Sequence, residues 1–344
     1  MEAITEVAQY HLCVTHSPLV TRVFEAAMQQ KGISADAVRS IAKRGVSFPG
    51  TGRCLDDVAR AMEACFKQCS RRGYREAWKR LDDALVELTG GKPFEAYVPH
   101  ANNFLFQEII SHPQCVGYSF LEEGFTSMLW DTWRKVRSKS KTAFRNGLRT
   151  WWVRPNVRLD REMFDHSAPT YRAAYAISKH AFHDMPGRTD VSSHVPPLPS
   201  GKPPGNTYLI LDACYLHDGI RWADYEDALV EAVLKHALPA GEVRVKFHFV
   251  DAKAAQRFDS LRRRLEDAGA GSPRLLSGEF SLEDNLTGED LVLFAATSLG
   301  YYNALAGGRV HCFAGEVKGI TLDSWIAAGR LPADFRQVVG LVES

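Results

Sequence analysis

"YHLCVTHSPLVTRVFEAAMQQKG", from Tyr10 to Gly32, decides the class of fold. The run "YHLCVT" reads as a strand, a short polar turn follows, and Pro18 near the start and Gly32 at the end bracket a helix. A strand that passes straight into a helix is the repeating step of a parallel α/β sheet. The step recurs. "RSIAKRG" (39–45) reads as a second short strand, "CLDDVARAMEACFKQC" (54–69) and "YREAWKRLDDALVELTGG" (74–91) as helices, and "FEAYVP" (94–99) and "CVGYSFL" (115–121) as strands.

Between Pro186 and Gly205 the composition changes. "PGRTDVSSHVPPLPSGKPPG" holds six of the sixteen prolines and predicts a linker without regular structure. Alternation then resumes. "NTYLILDAC" (206–214), "EVRVKFHFV" (242–250) and "DLVLFAATS" (290–298) read as strands, with helices in "YEDALVEAVLKHAL" (225–238), "AAQRFDSLRRRLEDAG" (254–269) and "LGYYNALAGG" (299–308). The sequence therefore predicts an α/β domain over 1–185, a proline-rich linker over 186–205 and a second α/β domain over 206–344, with a cleft between the domains.

At 344 residues, 45% hydrophobic and 24% charged, the chain is long enough for two ordinary cores. No run of about eighteen uncharged apolar residues exists, and "MEAITEVAQY" lacks the basic and apolar regions of a signal peptide, so a cytoplasmic protein is expected. The seven cysteines are scattered without a CxxC pair, which favours reduced thiols; Cys65 and Cys69, one helical turn apart, are read as buried.

The net charge of +1 conceals one strongly basic segment. Residues 132–159 carry nine Lys or Arg, no acid, and Trp133, Trp151 and Trp152. Such a segment suits an anionic membrane surface, at the inner face of a bacterial inner membrane for a cytoplasmic protein, or an acidic polymer. A solvated basic helix is the other account. No nucleic-acid-binding module is visible, and a nucleic-acid partner is not expected.

In parallel α/β sheets ligands bind beyond the carboxyl ends of the strands, so chemistry-bearing residues there are the first candidates. Glu122 and Glu123 follow "CVGYSFL", His248 ends "VRVKF", and Thr297 with Ser298 stands where "LVLFAA" turns into a helix. Hydroxyls and amides at a helix N-terminus suit a phosphate. An imidazole beside that phosphate can donate to a departing oxygen, and a carboxylate can remove the proton of an incoming hydroxyl. Lys246 shares the strand face of His248, either as a further phosphate contact or as a solvated lysine. On the first domain, His16 in "VTHSPL" and His100 and Asn102 in "VPHANN" line the expected acceptor side unless they only cap loops; Gly219 in "YLHDG" follows the first strand of the second domain. His180, His183 and Asp184 are read as an exposed helix end, and no metal site is expected.

"EEG" (122–124), "KFHF" (246–249) and "AATSL" (295–299) resemble, in order, the three short motifs of the bacterial sialyltransferases and polysialyltransferases, and "FSLEDNLTG" (280–288) resembles the segment whose glutamate holds the cytidine ribose. Phe249 stands where that family usually has proline, and Thr297 where it usually has serine. The resemblance implies a GT-B architecture, two Rossmann-like domains facing a central cleft, and an inverting transfer without metal or other cofactor. It implies sialic acid or a related nonulosonic acid moving from a CMP-activated donor to a glycan hydroxyl, acidic polymer and lipid-linked glycan included, in capsule polysaccharide or lipooligosaccharide synthesis. By carry-over, Glu122 is the general base with Glu123 the second candidate, His248 serves the leaving phosphate, Thr297 and Ser298 bind it, and Glu283 binds ribose. Two alternatives stand beside this: a GT-B transferase using another activated sugar such as CMP-Kdo, and a noncatalytic polyanion- or membrane-binding protein on the same scaffold.

Overall fold

The computed structural model describes residues 7–43, 50–130, 150, 152–154, 163–201, 203–212, 214–217, 219–248, 250–278 and 280–341. Most of the basic segment 132–159, including Trp133 and Trp151, and Phe249 lie outside the described residues.

The first helix shows how local sequence sets the pattern. After strand β1 (Tyr10–Thr15), Ser17 caps helix α1 (Pro18–Lys31) by accepting the Val20 amide, and Pro18 occupies the first turn, where its missing N–H costs nothing. Gly32, at φ 65°, ends the helix in the left-handed conformation and donates to the carbonyls of Met28 and Gln29. The face bearing Leu19, Val20, Val23, Phe24 and Ala27 is buried.

Strands β2 (Val38–Ala42), β3 (Thr51–Cys54), β4 (Phe94–Val98), β5 (Cys115–Leu121), β6 (Tyr171–Ala176) and β7 (Arg188–Asp190) complete a seven-stranded sheet in the order β3-β2-β1-β4-β5-β6-β7. Every pairing is parallel. Strands covered on both faces must be apolar along their length, and His11–Thr15, Ala96–Val98 and Gly117–Leu121 are accordingly buried. Helices α2 (Asp56–Lys67), α3 (Arg71–Thr89), α4 (Phe104–Ile110) and the short α5 (Phe125–Met128) belong to the same unit.

The second sheet has five strands, β8 (Thr207–Ile210), β9 (Val243–Lys246), β10 (Arg274–Leu275), β11 (Leu291–Phe294) and β12 (Arg309–Cys312), in the order β10-β9-β8-β11-β12, again all parallel. Its helices are α6 (Cys214–His217), α7 (Trp222–His236), α8 (Ala254–Asp267), α9 (Ser298–Leu305), α10 (Leu322–Ala327) and α11 (Phe335–Val338). Counted from its own first strand, the second sheet runs 3-2-1-4-5 and the first 3-2-1-4-5-6-7, the order of a Rossmann-like unit. The fold class is therefore α/β with two Rossmann-like units. In each, the winding reverses beside the first strand, between β1 and β4 and between β8 and β11.

Three sequence expectations need correction. The chain divides between Val195 and Pro196, and the stretch 186–205 is not uniformly irregular: Arg188–Asp190 pairs with β6 as the last strand of the first sheet. Sequence reasoning missed it because three residues are too few to show a period. His180, His183 and Asp184 lie in turns rather than on a helix, with Phe182 and Asp184 at positive φ. Cys65 is half-buried and Cys69 exposed, while all seven thiols are free.

An ion pair buried at both ends ties Arg154 to helix α4 of the first unit. Arg154 Nε donates to Glu108 Oε1 over 2.9 Å, with both side chains at most 3% exposed. Tyr74 donates to the same oxygen over 2.8 Å, and Arg154 Nη1 reaches Gln107 Oε1 at 2.6 Å. Arg154 thus belongs to the interior rather than to a basic surface. Removing one charge strands the other, so Glu108→Leu should lower unfolding free energy by about 3–5 kcal/mol in a denaturant titration. A simultaneous Arg154→Met change should recover much of that loss; a double variant no better than the single one would contradict the pairing.

Candidate functional site

In the first unit the exits of β1, β4 and β5 gather His16, His100 and the two acids. The acids diverge. Glu122 is fully buried, and its Oε2 accepts the amide of Ile177 at 2.6 Å and of Ser178 at 3.0 Å, just past the end of β6. Its own amide donates to the Tyr175 carbonyl at 3.0 Å. This geometry suits an anchor rather than the base expected of Glu122, because a carboxylate without accessible surface has no path to a substrate hydroxyl.

Glu123 turns the other way. Its Oε2 lies 3.3 Å from His16 Nε2 and 3.8 Å from His100 Nε2. His100 Nδ1 accepts the Asn102 amide at 3.0 Å, which leaves the ring proton on Nε2, facing the carboxylate. Asn102 itself is exposed at the loop surface. Phe106 packs on both imidazoles, with ring centroids 6.0 Å from His16 and 5.2 Å from His100. The backbone explains why the motif ends in glycine: Gly124 has φ 125° and ψ −156°, a region that side chains exclude. Ser127 Oγ then accepts the Glu123 amide at 3.0 Å and fixes the turn.

Two features here escaped the sequence. Lys43, after β2, sets its ammonium 5.5 Å from the Phe106 ring, adding a cation beside the two histidines. His16 Nδ1 is buried with no hydrogen-bond partner among the described residues. Nothing in "RSIAKRG" marks Lys43 out; only the parallel pairing of β2 with β1 brings it there.

In the second unit the exits of β8, β9 and β11 hold the remaining candidates. Thr297 is the N-cap of α9, its hydroxyl accepting the Leu299 amide at 3.3 Å, and Ser298 is the first helical residue. The hydroxyl proton of Thr297 is left for another acceptor, beside the helix N-terminus. His248 is half-buried beyond β9; its Nδ1 accepts the Val250 amide at 3.4 Å, which leaves the ring proton on Nε2.

The turn after His248 is held by Asp251. Its Oδ2 accepts Tyr215 Oη and Arg257 Nη1, each at 2.7 Å, and its Oδ1 accepts the Lys253 amide at 2.9 Å. Burial alone would raise its carboxyl pKa, but these hydrogen bonds outweigh it and hold the value below the ordinary one.

Lys246 is not a solvated lysine. It is half-buried, donates to the Phe280 carbonyl, and interacts with Glu283; burial lowers its pKa, while Glu283 opposes the shift. Lys246 and Glu283 are therefore neighbours. Gly219 lies exposed at φ 72°. Sequence reasoning overlooked Asp212, after β8. Its Oδ2 accepts the Ala296 amide at 2.9 Å and Tyr225 Oη at 3.2 Å, and its Oδ1 the Cys214 amide at 2.9 Å, so one carboxylate ties the β8 exit to the β11 exit.

No family model and no curated protein matches the sequence. Solved structures similar to it include UDP-GlcNAc 2-epimerase from Methanocaldococcus jannaschii, at TM-score 0.46 and 7% identity over 88% of this chain and 82% of that one. A sialyltransferase from Photobacterium damsela aligns at TM-score 0.45 and 10% identity over 98% and 80%. UDP-GlcNAc 2-epimerase from Neisseria meningitidis, bound to UDP-GlcNAc, aligns at 0.42 and 9% over 96% and 93%. Likenesses this distant say nothing of this chain's substrate. Among the described residues no helix is long and apolar enough to cross a membrane.

The two acids predict opposite phenotypes. Glu122→Ala orphans two backbone amides and should cost roughly 2–4 kcal/mol of unfolding free energy. Glu123→Gln keeps the size of a side chain that, among the described residues, bonds no backbone amide, and should cost clearly less. Equal losses in urea unfolding would contradict the division of labour.

Proposed function

We propose that the protein is an inverting, metal-independent glycosyltransferase, the first unit binding the acceptor and the second a CMP-activated sialic acid or related nonulosonic acid. The observation that carries this is Glu123, held by two histidines at strand exits of a Rossmann-like sheet, in a motif whose companions in the second unit stand at a helix N-terminus and a strand exit. A carboxylate so oriented is a base for an acceptor hydroxyl.

In this reading Glu123 takes the hydroxyl proton while the acceptor oxygen bonds to the anomeric carbon, and the bond from that carbon to the phosphate oxygen breaks. CMP leaves with the bonding pair. The Nε2–H of His248 donates to the phosphate oxygen as charge grows on it, and Thr297 and Ser298 with the N-terminal amides of α9 hold the phosphate. Glu283, in the field of the Lys246 ammonium, accepts from a ribose hydroxyl. His16, His100 and Lys43 would favour an acceptor that is itself acidic, which fits a sialoside or a growing acidic polymer better than a neutral sugar.

Release of CMP from CMP-sialic acid, followed across neutral galactosides, sialosides and acidic oligosaccharides, tests the reading. Glu123→Gln should lower turnover by roughly a hundredfold or more with CMP affinity retained, and Ser298→Ala should weaken CMP binding by calorimetry with folding intact. Full activity of Glu123→Gln would remove the base from this residue. Turnover with CMP-Kdo and none with CMP-sialic acid would shift the donor class.

A further inference from the structure

Beside the edge strand β12, apart from the exits of β8, β9 and β11, three side chains from three segments converge. His236 is the last residue of α7, His311 lies on the edge strand β12, and Glu316 follows it in a short 3-10 turn, Ala314–Glu316. One nitrogen from each imidazole and one carboxylate oxygen all lie within 4.8 Å of one another. The rings are stacked at 3.6 Å between centroids with a 25° tilt. We propose that these three side chains form a binding site for a divalent transition-metal ion, of the zinc class, which joins α7, β12 and the turn after it.

The spacing supports an ion rather than a direct bond. His311 Nε2 and Glu316 Oε1 are 3.6 Å apart, too far for a hydrogen bond, and Nε2 is buried without a hydrogen-bond partner among the described residues. Two ligand atoms each about 2.1 Å from a tetrahedral ion stand roughly 3.4 Å apart. Closing the third side requires the two rings to turn out of their stack, because lone pairs in nearly parallel planes do not meet at one ion.

The donor set and its surroundings agree. Two imidazoles and one carboxylate suit zinc, cobalt or nickel better than calcium or magnesium, which prefer oxygen throughout. The carboxyl end of a helix as long as Trp222–His236 carries partial negative charge, which favours a cation there. Lys235, the nearest cation in sequence, is paired with Glu231. A pocket of about 380 Å³ opens on His311 and Glu316, giving an ion a way in and room for water as a further ligand; Arg336 on its wall is paired with Asp323.

The test uses the tag-free full-length chain with its thiols reduced, titrated with cobalt(II) and then competed with zinc. One cobalt should bind per chain, with visible d–d bands and without the intense near-ultraviolet band of thiolate ligation, and zinc should raise the melting temperature. Glu316→Gln, a change at a solvent-reachable carboxylate, should weaken binding at least about tenfold and keep the parent melting temperature without metal. His236→Asn should abolish the stoichiometric binding. Absence of a one-to-one complex, thiolate-type spectra that assign the ion to cysteines, or affinity unchanged in both variants would overturn the proposal.

Discussion

A carboxylate with no access to water governs the first unit. Glu122 accepts two amides from the segment after β6 while its own amide bonds to β6, so the exits of two neighbouring strands become one rigid edge. Buried charge is tolerated only when its lone pairs are met, and here backbone donors meet them. Everything beyond depends on that closure. Glu123 can point toward His16 and His100 only because the preceding residue is fixed and Gly124 takes a backbone angle that other residues avoid.

The second unit solves the same problem with Asp212, nearly buried at the exit of β8. It accepts from Ala296 across the point where the winding reverses, and the residue after Ala296 is the cap of α9. In both units, then, a sequestered acid holds a strand exit beside the polar groups that stand there. Asp251 repeats the device after β9, where Tyr215 and Arg257 converge on one oxygen and stiffen the turn that follows His248.

What could be read from the sequence follows from the physics of each signal. Strands buried on both faces are continuous apolar runs, so "YHLCVT", "CVGYSFL" and "DLVLFAATS" stood out, and capped helices such as Pro18–Lys31 announced both ends. The edge strands did not, because β3 is largely exposed and β7 and β10 have three residues and two. The strand exits named nearly all the polar residues that the structure gathers. Their roles were another matter: nothing in "EEG" says which acid faces inward, since that turns on where the amides of residues 177 and 178 lie, over fifty positions away. Asp212, Lys43 and the His236–His311 pair were silent for the same reason. The bond from Ala296 to Asp212, the place of Lys43 beside Phe106 and the stack of His236 on His311 all join positions distant in the chain.

The short margins of both sheets have a consequence for how the protein behaves at high concentration. A parallel sheet presents rows of unpaired amides and carbonyls at each side, an invitation for another chain to add itself. Here the outermost strands offer little purchase: "TGRC" is exposed and carries Arg53 in a surface pair with Glu87, β7 and β10 end almost as they begin, and β12 opens on an exposed arginine. Each sheet, parallel throughout among the described residues, thus offers a poor template for polymerisation without closing into a barrel.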